Sequence, residues 1–283
     1  MARRRSLRFN RNSSPFSPLP IPNSYQMLSD QLTWGAVPEG FVRWSDGKGG
    51  RMIVRRGRER QIKIDSCFAE DGRSEPSEYQ GRSHLRRIHL PDRANALVRR
   101  CQHGGLLRGL TGQWYFTWPP RPFRELVVTE ELRRRGVPTV EVLAACVIRS
   151  AGPFYRGCLV TRELVDSEDL WSALQSGLVA RLGLETTLRA VAASVRAMHR
   201  EGVFHSDLNL KNILLRPEKN RVASYLIDFD KAKLSLGQLP TELAARNLDR
   251  LLRSTRKLDP TGNYLSAAAW EEFVSYYYDR DAG

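Results

Sequence analysis

His205 to Leu215 reads HSDLNLKNILL, and Tyr225 to Ala232 reads YLIDFDKA. The first stretch sets Asp207 and Asn212 on one short loop, and the second ends a strand on Asp228. Together they read as two halves of a phosphoryl-transfer site. That reaction asks little covalent chemistry of a protein. It needs a carboxylate beside the attacking hydroxyl, and divalent ions on hard oxygen donors to neutralise phosphate charge. Asp207 suits the first task, and Asn212 and Asp228 supply an amide and a carboxylate for the second. A lone Asp in a turn is ordinary; the ordered set of three carries the reading.

The flanking pattern predicts the elements that must hold this set. Leu188, Val191, Ala192, Val195, Met198 and His199 recur at three- and four-residue spacing, which predicts an amphipathic helix, and Gly202 suits its C-terminal stop. Ile213-Leu214-Leu215 reads as a short buried strand, Pro217 to Arg221 as a turn, and Ser224 to Ile227 as a second strand ending at Asp228. His205 is expected to hold the loop by hydrogen bonding rather than to exchange protons.

A chain of 283 residues with 41% hydrophobic residues can bury a large core. No run of about eighteen apolar residues occurs, so no bilayer-spanning helix is expected. The net charge of +14 and pI near 10.1 call for a negative partner. Arginine clusters are scattered from Arg3-Arg4-Arg5 to Arg133-Arg134-Arg135, without a zinc-finger, homeodomain or aromatic RNA-binding signature, so no nucleic-acid partner is expected. Cys67, Cys101, Cys146 and Cys158 are widely spaced, with no CxxC pair and no metal-ligand pattern. They read as buried free thiols in a reducing compartment.

Residues 1–24 open like a signal peptide, but Ser, Pro and Asn interrupt the apolar core, which makes them a flexible basic arm. Residues 25–78 read as an N-terminal elaboration with a possible β-hairpin around Gly47-Lys48-Gly49-Gly50. Strands are expected at Tyr79 to Ile88, Asn95 to Arg100, Val140 to Arg149 and Gly157 to Leu164, with a helix over Phe123 to Arg135 ended by Gly136 and Pro138. Beyond Val165 the pattern turns helical. Ser167 to Gln175 forms a short helix capped by Asp166 or Ser167, Thr241 to Lys257 a long one, and Trp270, Phe273, Val274 and Tyr277 mark a last.

With these residues in view, the chain resembles the bacterial lipopolysaccharide kinases, most closely the 3-deoxy-D-manno-octulosonic acid (Kdo) kinases, from about Gly81 to Leu258. The specific part is Asp207-Leu208-Asn209 combined with DFDKA at Asp228 to Ala232, where most protein kinases carry Gly after Asp-Phe. LVRRCQHGGLLRGL from Leu97, FREL from Phe123, GVPT from Gly136 and NLDRLLRSTRKL from Asn247 support it in the same order. The resemblance implies an α+β, bilobal protein-kinase-like fold, with a β-rich N-lobe over residues 79–164 and a helical C-lobe over 165–283. It further implies ATP with Mg²⁺, a Kdo-containing lipid A acceptor, and a peripheral position on an anionic membrane surface, the cytoplasmic face of the inner membrane.

Carried over by motif, Asp207 becomes the catalytic acid-base residue, Asn212 and Asp228 the metal ligands, and Glu125 the carboxylate of the N-lobe helix, with Glu130 and Glu131 as further acids on it. Arg99 stands where protein kinases carry Lys. It keeps the charge and adds a fork for phosphate or carboxylate. A GxGxxG loop is missing, and Gly81-Arg82-Ser83 is the best candidate for the nucleotide loop, through Gly81 and Ser83. Lys211 sits where tyrosine-type kinases place a cation that steadies transferring phosphoryl charge or an acceptor carboxylate. The alternatives are a heptose kinase, an atypical protein kinase, an antibiotic phosphotransferase, or a catalytically dead kinase-like scaffold at a membrane.

Overall fold

The computed structural model describes residues 35–69, 85–92, 94–101, 115, 117–149, 154–219, 221–235 and 237–279. The basic arm at 1–24 and the nucleotide-loop candidates Gly81 and Ser83 lie outside these residues.

The first lobe is a six-stranded antiparallel sheet in the order β1-β2-β5-β6-β4-β3, formed by β1 (Phe41–Ser45), β2 (Gly50–Arg55), β3 (Leu85–His89), β4 (Asn95–Arg100), β5 (Val142–Arg149) and β6 (Tyr155–Arg162). The expected hairpin is present: Asp46 Oδ1 accepts from Lys48 N at 2.7 Å and Gly50 N at 2.8 Å, closing the turn that joins β1 to β2. It is not a separate elaboration, however. Strand β2 pairs with β5, so the hairpin extends the same sheet that carries β3 and β4, and a boundary at residue 78 does not divide the sheet.

Strand alternation gives this sheet two faces. One packs beneath α1 (Ile64–Phe68) through Met52, Val54, Ala96, Val98, Cys146 and Cys158. The other meets α2 (Arg121–Arg134), which buries Phe123 and Leu126 against Ile53, Ala145 and Leu159, while its Leu132 joins the core of the second lobe. Gly157 makes that approach possible, since a Cβ there would come within 2.9 Å of Pro122 Cγ. At the far end of α2, Gly136 turns the chain out at φ 81°.

The second lobe is built on α5 (Leu184–Arg200), whose buried stripe of Leu188, Val191, Ala192, Val195 and Met198 follows the predicted spacing. Burying each of its Leu, Val and Met side chains contributes about 1.5–3 kcal/mol before chain entropy is set against it. The stripe is covered by α7 (Ala267–Tyr278) and by β10 (Arg221–Leu226), the edge of a small sheet in the order β10-β9-β7, with β9 at Ile213–Glu218 and β7 at Glu168–Asp169. Helix α6 (Thr241–Leu258) adds Leu248 and Leu251 to the same core. Two short helices precede α5: α3 (Leu170–Gln175) and α4 (Leu178–Leu182).

Two expectations are corrected here. The cap of α3 is Asp169, which accepts from Ser172 N at 3.1 Å, while Glu168 and Asp169 form the two-residue strand β7. Pro217 lies inside β9 (Ile213–Glu218) rather than in the turn, and β10 starts at Arg221 and runs to Leu226. Proline is tolerated there because β7 pairs only with Leu214 and Leu215, so at Pro217 the strand has one hydrogen-bonded neighbour.

Candidate active site

Glycine 202, at φ 75°, ends α5 where an added Cβ would strike Gly237 O and Ser235 O, and the strand β8 (Val203–Phe204) leads directly to the loop. His205 anchors it. Buried to 1% exposure, it donates from Nε2 to Ile227 O at 3.0 Å and accepts from Asp207 N at Nδ1, 3.1 Å away. These partners require the neutral ring with its proton on Nε2, and burial accordingly pushes its pKa below the usual histidine value. The ring also lies 5.0 Å, centroid to centroid, from Phe229.

Asp207 O then accepts from both Asn209 Nδ2 at 2.8 Å and Asn212 Nδ2 at 2.9 Å. Loop shape is thus held through backbone atoms and amides, which leaves the Asp207 side chain exposed and Asn212 Oδ1 with no donor among the described residues. Asn209 also caps the 3-10 turn Leu210–Asn212 by accepting from Lys211 N at 2.9 Å.

Asn247 is the residue that sequence reasoning missed. Fully buried on α6, it accepts from His205 N at 3.0 Å and donates to His205 O at 2.8 Å. His199 donates from Nε2 to the same Asn247 Oδ1 at 3.1 Å and takes the Tyr277 hydroxyl proton at Nδ1, 2.7 Å away. Burial lowers the His199 pKa to about 4. The only available signal was a polar residue inside an apolar helical stripe.

On the sheet side, Arg99 projects from β4 on the face opposite Val98. Its guanidinium pairs with Glu125 on α2 and lies 3.3 Å from Asp228 Oδ1. Arg99 is 31% exposed and Glu125 only 2%. Burial raises the Glu125 pKa, with Arg99 partly offsetting it, and Glu125 Oε2 is buried with no hydrogen-bond partner among the described residues. For Arg99, burial opposes the charge but Glu125 and Asp228 outweigh it and hold the pKa above its ordinary value. The other acids of α2 are engaged elsewhere: Glu130 pairs with Arg55 at 2.7 Å, and Glu131 with Arg134 at 2.9 Å.

Asp228 itself adopts φ 71°, a left-handed conformation that strains a non-glycine residue and marks functional sites. Two residues on, Asp230 pairs with Arg121 at the start of α2, where a glycine could make no such bond. Leu226 N donates to Pro138 O at 2.9 Å, a further tie between the lobes.

Between the lobes lies a cleft of about 430 Å³, within the usual range for small-molecule sites. Leu97 and Leu159 wall it from the sheet, Leu214 and Ile227 from the helical lobe. Arg99, Glu125, Lys211, Asn212 and Asp228 all reach this cleft. Apolar walls on both sides suit a flat base, and the Asn212 and Asp228 oxygens are hard donors of the kind a divalent ion takes. The residues present therefore fit a nucleotide with a divalent cation.

A sheet-rich lobe and a helical lobe closing on such a cleft define a protein of kinase fold. The chain belongs to the lipopolysaccharide kinase (Kdo/WaaP) family, whose profile matches residues 77–277. A 3-deoxy-D-manno-octulosonic acid kinase of Xylella fastidiosa (strain M12) is 34% identical over 168 residues, 58% of this chain and 63% of the relative. One of Vibrio vulnificus (strain CMCP6) is 33% identical over 174 residues, 60% of this chain and 68% of the relative. The match to the Xylella protein thus spans less than two thirds of that relative's length. The solved structure of WaaP in complex with acyl carrier protein superposes with a TM-score of 0.53 at 21% identity, covering 82% of this chain and 90% of that one. At that identity the likeness is one of fold.

Proposed function

We propose that this chain is an ATP-dependent kinase that phosphorylates a hydroxyl of a Kdo sugar on a lipid A precursor, in lipopolysaccharide core biosynthesis. The observation that carries the reading is the Glu125, Arg99 and Asp228 chain of charges facing the Asp207 to Asn212 loop across one cleft. The Kdo kinases among its relatives supply the acceptor class.

When bound, ATP supplies the phosphoryl group and Mg²⁺ neutralises its oxygens. Asn212 and Asp228 would hold the ion through amide and carboxylate oxygen. Asp207 orients the acceptor hydroxyl and accepts its proton on a carboxylate oxygen. Arg99, aimed by Glu125, neutralises phosphate charge, and Lys211 meets phosphoryl charge or the acceptor's own carboxylate. A second groove of about 1070 Å³ adjoins the cleft at Lys211 and Ser167, with Arg87, Asn95 and Trp171 further along, and is the place for the sugar.

No helix among the described residues is long and apolar enough to cross a membrane. The scattered arginines and the arm at Arg3 to Arg11 hold the protein peripherally at the cytoplasmic leaflet, each basic residue near an anionic surface contributing about 1 kcal/mol. Transfer of labelled phosphate to purified Kdo-lipid A, heptosylated core and a generic protein, with and without EDTA, tests the function. Chelator-sensitive labelling of Kdo-lipid A alone is expected. Labelling of the heptosylated core instead would transfer the assignment to a heptose kinase, and no transfer to any of them would leave a scaffold.

A further inference from the structure

On the face of the N-terminal sheet that looks away from the cleft, three cysteines far apart in the chain converge. Cys146 on β5 and Cys158 on β6 are register partners, and α1 lays Cys67 over them, so that the three sulfurs lie within 4.8 Å of one another. Cys146 Sγ donates to Cys67 Sγ over 3.8 Å, a contact between residues 79 positions apart. All three are fully buried, in a wall formed by Met52, Val54, Phe68, Val98 and Val160. Their spacing in the chain carries no metal-ligand pattern; the fold brings three of the four together.

We propose that Cys67, Cys146 and Cys158 form a binding site for a soft monovalent cation, with copper(I) as the ion whose ligand preference and charge they match. Thiolates select soft ions. Structural zinc takes four ligands, and among the described residues no fourth His, Cys, Asp or Glu joins this group, while an apolar wall offers little to hold a water. Three-coordinate copper(I) needs none. The adjacent soft group is Met52, the register partner of Cys146 across β2 and β5.

Charge points the same way. Binding converts three thiols and Cu⁺ into a tris-thiolate complex of charge −2 with release of three protons. Two guanidiniums act on Cys67 from the surrounding strands, those of Arg86 and Arg100. Arg100 is the register partner of Cys158, and Arg86 that of Val98 in the same apolar wall. Arg86 Nε and one terminal nitrogen are buried with no partner among the described residues. A complex of charge −2 balances these two cations, whereas zinc on three thiolates would carry only −1.

Bound there, the ion would pin α1 to β5 and β6, behind the strand that carries Arg99. The test uses the full chain, reduced and under nitrogen, offered copper(I) from its bathocuproine disulfonate complex both in the native state and during refolding, because the thiols are buried. One copper(I) per chain is expected, with a thiolate-to-copper absorption, a sulfur-only first shell by X-ray absorption, and a raised melting temperature. Cys158→Ala and Cys146→Ala, shown folded by circular dichroism, should weaken retention at least tenfold. Cys101→Ala serves as control: this fourth buried cysteine packs on the opposite face of the sheet, so copper(I) retention should be unchanged. Absence of stoichiometric uptake by either route, retention unaffected by Cys158→Ala, equal loss in Cys101→Ala, or tighter retention of zinc(II) than of copper(I) would each overturn the proposal.

Discussion

On the helical side of the cleft, His205 is gripped by uncharged groups: Asn247 takes both its backbone polar atoms, and Ile227 O and Asp207 N take its ring. Across from it, Arg99 sits between two carboxylates, one buried and one facing the cleft. The contrast separates what must stay still from what must respond. A closed neutral network has one satisfied geometry, and breaking any member leaves a buried polar group unpaired. An ion bridge is less directional, and on the proposed reading Asp228 would exchange Arg99 for a divalent cation. The helical side therefore sets position, and the sheet side adapts to charge.

The largest break in this comparison is expected from Asp207→Ala. Its side chain takes no part in the loop's hydrogen bonds, so melting temperature and nucleotide affinity should hold while turnover falls by roughly 10²–10⁴-fold. Unchanged turnover would end the assignment of Asp207. Asp228→Ala should instead be lost for metal-nucleotide binding, measured by calorimetry. Next comes Asn247→Ala, which strips partners from His205 N, His205 O and His199 Nε2 together and should lower stability by about 2–4 kcal/mol in urea melts. A loss below about 1 kcal/mol would mean the network is not what holds the loop.

The two sides should also respond oppositely to pH. His199 has its folded pKa lowered to about 4 from 6.5, so its contribution is complete above pH 6.5 and is lost as pH falls toward 4, by up to about 3 kcal/mol. Glu125 has its folded pKa raised, so the stability associated with its protonated form is present below the unfolded value and is lost as pH rises through the folded one. Unfolding of His199→Gln and Glu125→Gln across this range, each subtracted from wild type, should give slopes of opposite sign; matching signs would erase the distinction.

Smaller still is Arg99→Lys, which keeps charge but loses the fork between Glu125 and Asp228; about tenfold lower kcat/KM is expected, and a larger loss for Arg99→Ala. Lys211→Ala should have the least effect, a change of up to about tenfold in rate or acceptor KM. If neither moves, Lys211 is a solvent-facing lysine.

Periodicity sufficed for α5, because a helix repeats every three to four residues, whereas the place of Arg99 on β4 was an expectation of the family resemblance. The candidate constellation could be proposed from the sequence for a related reason: Asp207, Asn212 and Asp228 are close in the chain, on one loop and the hairpin that follows it. Chain proximity also suggested the β1–β2 hairpin, but only the pairing of β2 with β5 made it part of the first lobe's sheet. Asn247 lies 42 positions from His205, and nothing in a helical stripe says which buried polar residue will meet a loop. Likewise the pairing of Arg121 with Asp230 and the meeting of Cys67 with Cys146 and Cys158 depend on how helices settle on a finished sheet. Local spacing determines the face a side chain occupies. Which distant face it meets is decided by packing the whole core, and only the tertiary structure supplies that.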